Sequence, residues 1–585
     1  MDRRTSGSSS ISTTTSTSPF SAKFPSPAPP TSAPAPGLPP LPLELWFHIA
    51  ELVPPPDLPK LIGVHRVFFE MIMSELYSQL SFISADPRVV CEKLRSLQNP
   101  GLAERVRVLT IWPSAVRDAI RATEPERLEP ERSQTPKPKP KPGHVRYLSK
   151  GREYVEDLLG HHRSASPPIS SSRPSTPKEP LPSPIERVEL FKAALRLLTR
   201  VDSLELHWYL DKGGEHAWTF PLFPQIWRGV APGLRKLTLD IQLFKMGDVV
   251  LSCIALPRLE ELQLTLRCDA ARGHPGDTVV PYFVNKFAAT LRVLGIKTIG
   301  HQELSQNFQL LGTFPRLRAL AVIMPLDAYH LRDPSGFRQF LVNHPRLGEL
   351  CVRYTRCCRD CVDDEFTTVY GKHRLYSDIS MPALHSLELG LHIPFPLGIA
   401  SSLYSSVAQL GSGLTSLTLK DRNLKLDEIK TVLRLFPSNR LKKLSLFARL
   451  LSPQVIDFIA QACPTLNSLS LDVETVVKSE PSQFDLYHND VDGFAQALFN
   501  YAVDLDNDRW RYRTWTLSDV AVMRWEFQVG HQYNWACMSA LARVVPSVRS
   551  FAGRGHMEQE QDVVLKPGTQ RLLVDLGGRT KPFDT

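Results

Sequence analysis

The sequence predicts an α/β repeat solenoid with a short block of helices ahead of it. Three observations predict this. The unit L-x-x-L-x-L recurs from about residue 201 to near the end of the chain. Amphipathic segments such as "LDEIKTVLRLF" and "PQVIDFIAQAC" precede many copies. A compact apolar block, "LPLELWFHIAELVPPPDLPKLIGVHRVFFEMI", follows a run of Ser, Thr and Pro.

The repeats carry most of the expectation. Copies include "RVDSLEL", "GLRKLTLD", "RLEELQL", "TLRVLGI", "RLRALAV", "RLGELCV", "ALHSLEL", "GLTSLTL", "RLKKLSL" and "TLNSLSL". "RVRVLTI" is an isolated first copy, and "YRTWTL" and "SVRSFAG" are weaker late ones. Within a unit the second and third apolar residues alternate, which is a short strand. Pro257, Pro315, Pro345, Pro382 and Pro464 stop the preceding segments from continuing as helix. One strand and one helix cannot close a core, but stacked units form a parallel sheet on a concave face with helices on the convex face. This is the leucine-rich-repeat pattern, expected over residues 185–555.

Composition bounds the rest. The chain has 585 residues, 42% of them hydrophobic, enough for a sizeable core. A net charge of +9 is modest for this length and does not argue for a nucleic-acid partner. The 9 cysteines form no framework, and the N-terminus lacks the apolar stretch of a secretory signal. No apolar run is long enough to span a bilayer. A cytoplasmic or nuclear protein with no membrane partner is expected. The 50 prolines are concentrated. Residues 1–37 and 114–184 read as a disordered tail and insert, with residues 86–113 as a linker helix and first repeat strand and 556–585 as a C-terminal tail. Thr135, Ser166, Thr176 and Ser183 each precede Pro and are candidate phosphosites; Ser-Pro is also simply common in disordered sequence.

In the early block, residues 38–85, Leu45, Ile49 and Leu52 recur at helical spacing behind Pro42 and Glu44. Asp57 is placed to cap a second helix through Leu58, Leu61 and Val64, and Phe68, Phe69, Ile72 and Leu76 mark a third. The order Leu41-Pro42, Glu44-Leu45, Ile49, Leu52, Asp57-Leu58, Leu61, Val64, Arg66 and Phe68 resembles an F-box. Many F-boxes have Cys or Ser at His65 and Trp at Phe68. The irregular repeats resemble those that follow F-boxes in fungal proteins. The resemblance implies docking on a Skp-family adaptor, and through it on a cullin scaffold, with Leu41, Pro42, Leu45, Ile49, Leu58, Leu61 and Val64 as contacts. It implies the substrate-recognition subunit of an SCF-type ubiquitin ligase, whose repeats bind a protein substrate. The alternatives are a plain helical cap on the next domain and a repeat scaffold with no role in ubiquitin transfer.

On the repeats, side chains between the strand leucines are of mixed sign and available for contact. Trp208, Tyr209, Lys443 and Phe447 are the candidate substrate anchors, because aromatic residues dominate interfaces. Cys358 and Cys361 form one C-x-x-C beside Cys357, with His373 downstream, but no second pair completes a zinc site. No phosphate loop, nucleophile elbow or H-E-x-x-H is present. No catalytic residue, metal or cofactor is expected; an F-box subunit would act by bringing reactants together.

Overall fold

The structure is a computed structural model that describes residues 41–53, 57–122, 180–209, 222–253, 255–267, 278–299, 307–326, 335–357, 379–390, 413–436, 440–479, 489–504, 509–526 and 530–553. The tail at 1–37, the C-terminal tail, Thr135, Ser166, Thr176, Cys358, Cys361 and His373 lie outside the described residues. The chain forms two compact units, Met1–Ile72 and Met73–Thr585.

In the small unit a helix spans Leu43–Leu52, with the Pro42 carbonyl accepting from the Leu45 and Trp46 amides. The expected second helix is a single 3₁₀ turn, Leu58–Leu61. Asp57 makes no capping bond there and instead pairs with Lys60 at 2.5 Å. The next helix, Arg66–Ser78, starts at His65, whose Nδ1 accepts from the Val67 amide at 3.2 Å. The same imidazole stacks on Trp46, with ring centres 4.4 Å apart and planes 10° off parallel. Histidine thus supplies both a side-chain cap and an aromatic face. Ala50, Leu58 and Phe68 are the buried centre, with Trp46, Val53, Leu61, Met71 and Ile72 packed around them.

The large unit is built on one 15-stranded sheet. Its first strands are β1 (Gln79–Phe82), β2 (Val108–Ile111), β3 (Ser203–Trp208), β4 (Lys236–Gln242), β5 (Glu261–Arg267) and β6 (Val293–Ile299). β7 (Ala319–Leu326), β8 (Glu349–Cys357), β9 (Ser386–Gly390), β10 (Ser416–Leu424), β11 (Lys443–Leu451) and β12 (Ser468–Val476) follow. Each pairs in parallel with the next in chain order. The register follows the leucines: Leu204, Leu237, Leu262, Leu294, Leu320, Leu350, Leu387, Leu417, Leu444 and Leu469 form one row. All are 0–2% exposed, so each stabilises the fold by roughly 2 kcal/mol.

Two backbone devices repeat with them. A turn with Pro second closes before several of the strands, as in Leu259 N–H to Leu256 O around Pro257 and Leu347 N–H to His344 O around Pro345. Then one carbonyl accepts two amides of the next unit, as Arg235 O does from Glu260 and Glu261. Helices such as Pro184–Leu197, Phe223–Val230, Leu426–Arg434 and Pro453–Ala462 bury apolar residues beneath the same core. At the far end Asp519–Glu526 continues the parallel order from β12. Gly530–Tyr533 pairs antiparallel with its second half and Ser550–Phe551 parallel with its start, so two short strands cover that edge.

Three boundaries differ from expectation. β1 belongs to the sheet, so the early block does not extend to 85 as a helical module. The stretch expected to open a structureless insert at 114 forms a helix, Pro113–Arg121, with Val116, Ala119 and Ile120 in the core. The late copy is not "YRTWTL" but the next frame, Leu517, Val520 and Val522, because Val520 and Val522 pair with Leu469 and Leu471.

Arg187, only 3% exposed, ties the described chain on either side of residues 123–179 together. One of its terminal nitrogens donates to the carbonyls of Ala119, Ile120 and Ala122 at 2.8, 3.1 and 2.7 Å, and its Nε donates to Pro182 O at 2.8 Å. The Ala119 and Ile120 carbonyls are at the C-terminal end of the helix Pro113–Arg121, where the last carbonyls have no partner within the helix. Ser183 caps the following helix in a reciprocal box with Glu186.

Candidate functional site

The helix Leu43–Leu52 carries two apolar stripes. Trp46, Ala50 and Val53 face the small unit's core. Leu45, Ile49 and Leu52, displaced by one residue, remain 46%, 39% and 84% exposed. Leu41, Leu43, Phe47, Ile62, Val64 and Phe69 are exposed as well. These are many exposed apolar residues for so small a unit. Of the seven residues expected to meet an adaptor, Leu41, Pro42, Leu45, Ile49 and Val64 are exposed and Leu61 is half-buried. Leu58 is a correction: at 7% exposed it is part of the small unit's own core.

The second surface is the face of the sheet opposite the leucine rows. Strand alternation decides what lies there. Trp208 is therefore a correction too. It shares the period of Leu204 and Leu206, is fully buried, and packs on Phe223 with Lys245 Nζ 4.7 Å from its ring centre. Tyr209, the next residue, lies in an aromatic and charged cluster. Trp112, His207 and Tyr209 have ring centres 6.0–6.5 Å apart. The Arg267 guanidinium lies 3.8 Å from the Tyr209 ring centre and donates two bonds to Asp240, at 2.7 and 2.9 Å. His207 Nδ1 is 3.7 Å from the same carboxylate. Burial alone would raise the Asp240 carboxyl, but the Arg267 and His207 bonds outweigh it and hold it below the usual carboxylate range. The Asp240 bond in turn raises Arg267.

A second cluster lies further along. Arg353 donates to Asp421 and is 3.9 Å from Glu388, and Lys420 is 3.1 Å from Glu388. Lys443 is exposed and Phe447 half-buried on β11. β11 is eight strands beyond β3, roughly 38 Å along the sheet, so the four expected anchors do not form one site. Sequence reasoning missed Arg267, Asp421, Gly390 and Cys351. Continuing the alternation one residue past β5's leucines would have placed Arg267; the other three become visible only when strands are laid side by side.

Among the described residues, no helix is long and apolar enough to cross a membrane, and no group of three or more His, Cys, Asp or Glu could hold a metal ion. No protein-family model matches the chain, and no curated protein does. Among solved structures, the chain is similar to one in the crystal structure of the yeast Rad7 and Elc1 complex. The identity is 14%, the TM-score 0.29, and the match covers 51% of this chain and 76% of that one. A likeness that loose carries no functional argument. The architecture itself is plain: an α/β repeat solenoid with a parallel sheet.

Proposed function

We propose that the chain is the substrate-recognition subunit of an SCF-type ubiquitin ligase. In this reading the small unit docks on a Skp-family adaptor, itself held by a cullin, and the face of the sheet opposite the leucine rows binds a protein substrate. The unpartnered stripe of Leu45, Ile49 and Leu52 beside the used stripe of Trp46, Ala50 and Val53 carries the reading. A unit this size gains by covering such a stripe with a partner. The F-box-like order of residues supports a Skp-family adaptor as that partner. The face opposite the leucine rows supports the second half, because its clusters present aromatic faces and ion-pair edges across several strands. The chain would contribute no catalytic group; its effect would be to concentrate substrate near activated ubiquitin.

Co-expression of the full chain with the adaptor and cullin, followed by gel filtration, tests this. A stoichiometric ternary complex is expected. A folded chain that elutes alone while adaptor and cullin co-elute would overturn the proposal.

A further inference from the structure

The middle of the face opposite the leucine rows differs from both flanks. On β6 and β7 its residues are Val293, Gly295, Ala319, Ala321 and Ile323, and the adjoining position on β8 is Cys351. Burial, aided by the Glu388 carboxylate, pushes the Cys351 thiol up to about 12, so it adds neutral surface. The strip is therefore mainly small and apolar, with the Gln263 side-chain amide lying over Gly295 at its edge. On one side, Asp240 is bound by Arg267; on the other, Asp421 and Glu388 are met by Arg353 and Lys420.

Lys297 stands alone in this setting. It lies two residues beyond Gly295 on β6, level with Thr265 and Ile323, and is exposed. Among the described residues it has no ion pair or hydrogen bond. Asp240, level with it two strands away and roughly 10 Å distant, is held by Arg267. Glu349 lies two strands over from Lys297 and four positions back, roughly 16 Å, too far to neutralise it. Among the described residues the strip thus offers a mainly apolar floor with one positive charge that has no ion pair.

We propose that this strip binds an extended, mainly apolar protein segment bearing one Asp or Glu, whose carboxylate meets Lys297. The small side chains of Ala319 and Ala321 on β7 let a backbone approach closely beside the Gln263 amide that lies over Gly295, and a single ammonium suits a single carboxylate. Phosphate recognition favours forked Arg contacts, and the neighbouring Arg267 and Arg353 are already bound to carboxylates. The inference rests on reading this face as the recognition surface.

A phage-displayed library of random dodecapeptides, panned on the full chain, tests it. Selected peptides should share one acidic residue among apolar ones. Lys297→Glu should weaken them at least about tenfold, and panning on that variant should select Lys or Arg at the same place. Ala321→Trp, which fills the strip, should abolish binding; thermal unfolding of both variants checks that they fold. Peptides without an acid, or peptides that bind both folded variants like the native chain, would overturn the proposal. So would tighter binding of a selected peptide resynthesised with phosphoserine in place of its acid. Failure to select any peptide on the native chain would also overturn it, since the strip would then be covered by another part of the protein. Adaptor binding is scored separately: its absence with acidic peptides still selected would sink the ligase reading and leave this one standing.

Discussion

Arg353 on β8 and Asp421 at the bend of β10 form a two-bond ion pair, at 2.9 and 2.6 Å, across the strand that separates them. The intervening residue is Gly390 on β9, level with Arg353 and Lys420. A Cβ at Gly390 would collide with the Asp421 carboxylate and come 2.8 Å from Arg353 Cγ. Asp421 adopts φ 67°, a left-handed conformation that Asp tolerates better than most residues. Glycine and a strained aspartate together let charge span three strands.

Gly390→Ala should therefore cost about 1–3 kcal/mol through overcrowding. Chemical denaturation reads the loss. A variant as stable as the native chain would show that the pair relaxes without cost.

Arg187→Met should destabilise the large unit by about 3 kcal/mol, because it strands the buried carbonyls of Ala119 and Ile120 and the part-buried ones of Ala122 and Pro182. Arg187→Lys should recover only part, since one ammonium cannot reproduce the fork. Thermal unfolding ranks the three chains. Equal midpoints for Arg187→Lys and the native protein would contradict the bridging role.

His344 is 3% exposed and fully used as a neutral ring. Its Nδ1–H donates to Phe340 O and its Nε2 accepts from the Phe314 amide. Burial lowers its pKa, against a smaller opposing effect of the Phe340 bond. Below the unfolded value near 6.5, the unfolded chain binds a proton that the folded chain resists. Stability should be complete above that pH and decline as pH falls toward the folded pKa. His344→Gln should be less stable at neutral pH and should lose this component of the slope. Denaturation midpoints between pH 5 and 8 measure it, and an unchanged slope in His344→Gln would place the titration elsewhere.

Much of this was legible in the residues, for identifiable reasons. A leucine at the same place in each unit fixes the register, so β3 to β12 follow from L-x-x-L-x-L alone. β1 did not, because "QLSF" offers one alternation and directly follows a helical pattern. Trp208 was assigned to the surface as an aromatic anchor, although the period of Leu204 and Leu206 places it inside. In the small unit, spacing marked Leu45, Ile49 and Leu52 as one face but could not tell which of two apolar stripes the fold uses. Leu58 was misplaced for the same reason: its apolarity suits either a core or an interface, and only packing decides.

Calorimetry of the full chain with a purified Skp-family adaptor, native beside Leu45→Asp/Ile49→Asp, tests the central claim most directly. Both positions are exposed, so the double variant should keep the native unfolding midpoint while losing adaptor binding. A folded native chain that gives no binding heat would contradict the account and leave a repeat scaffold whose apolar stripe serves another partner.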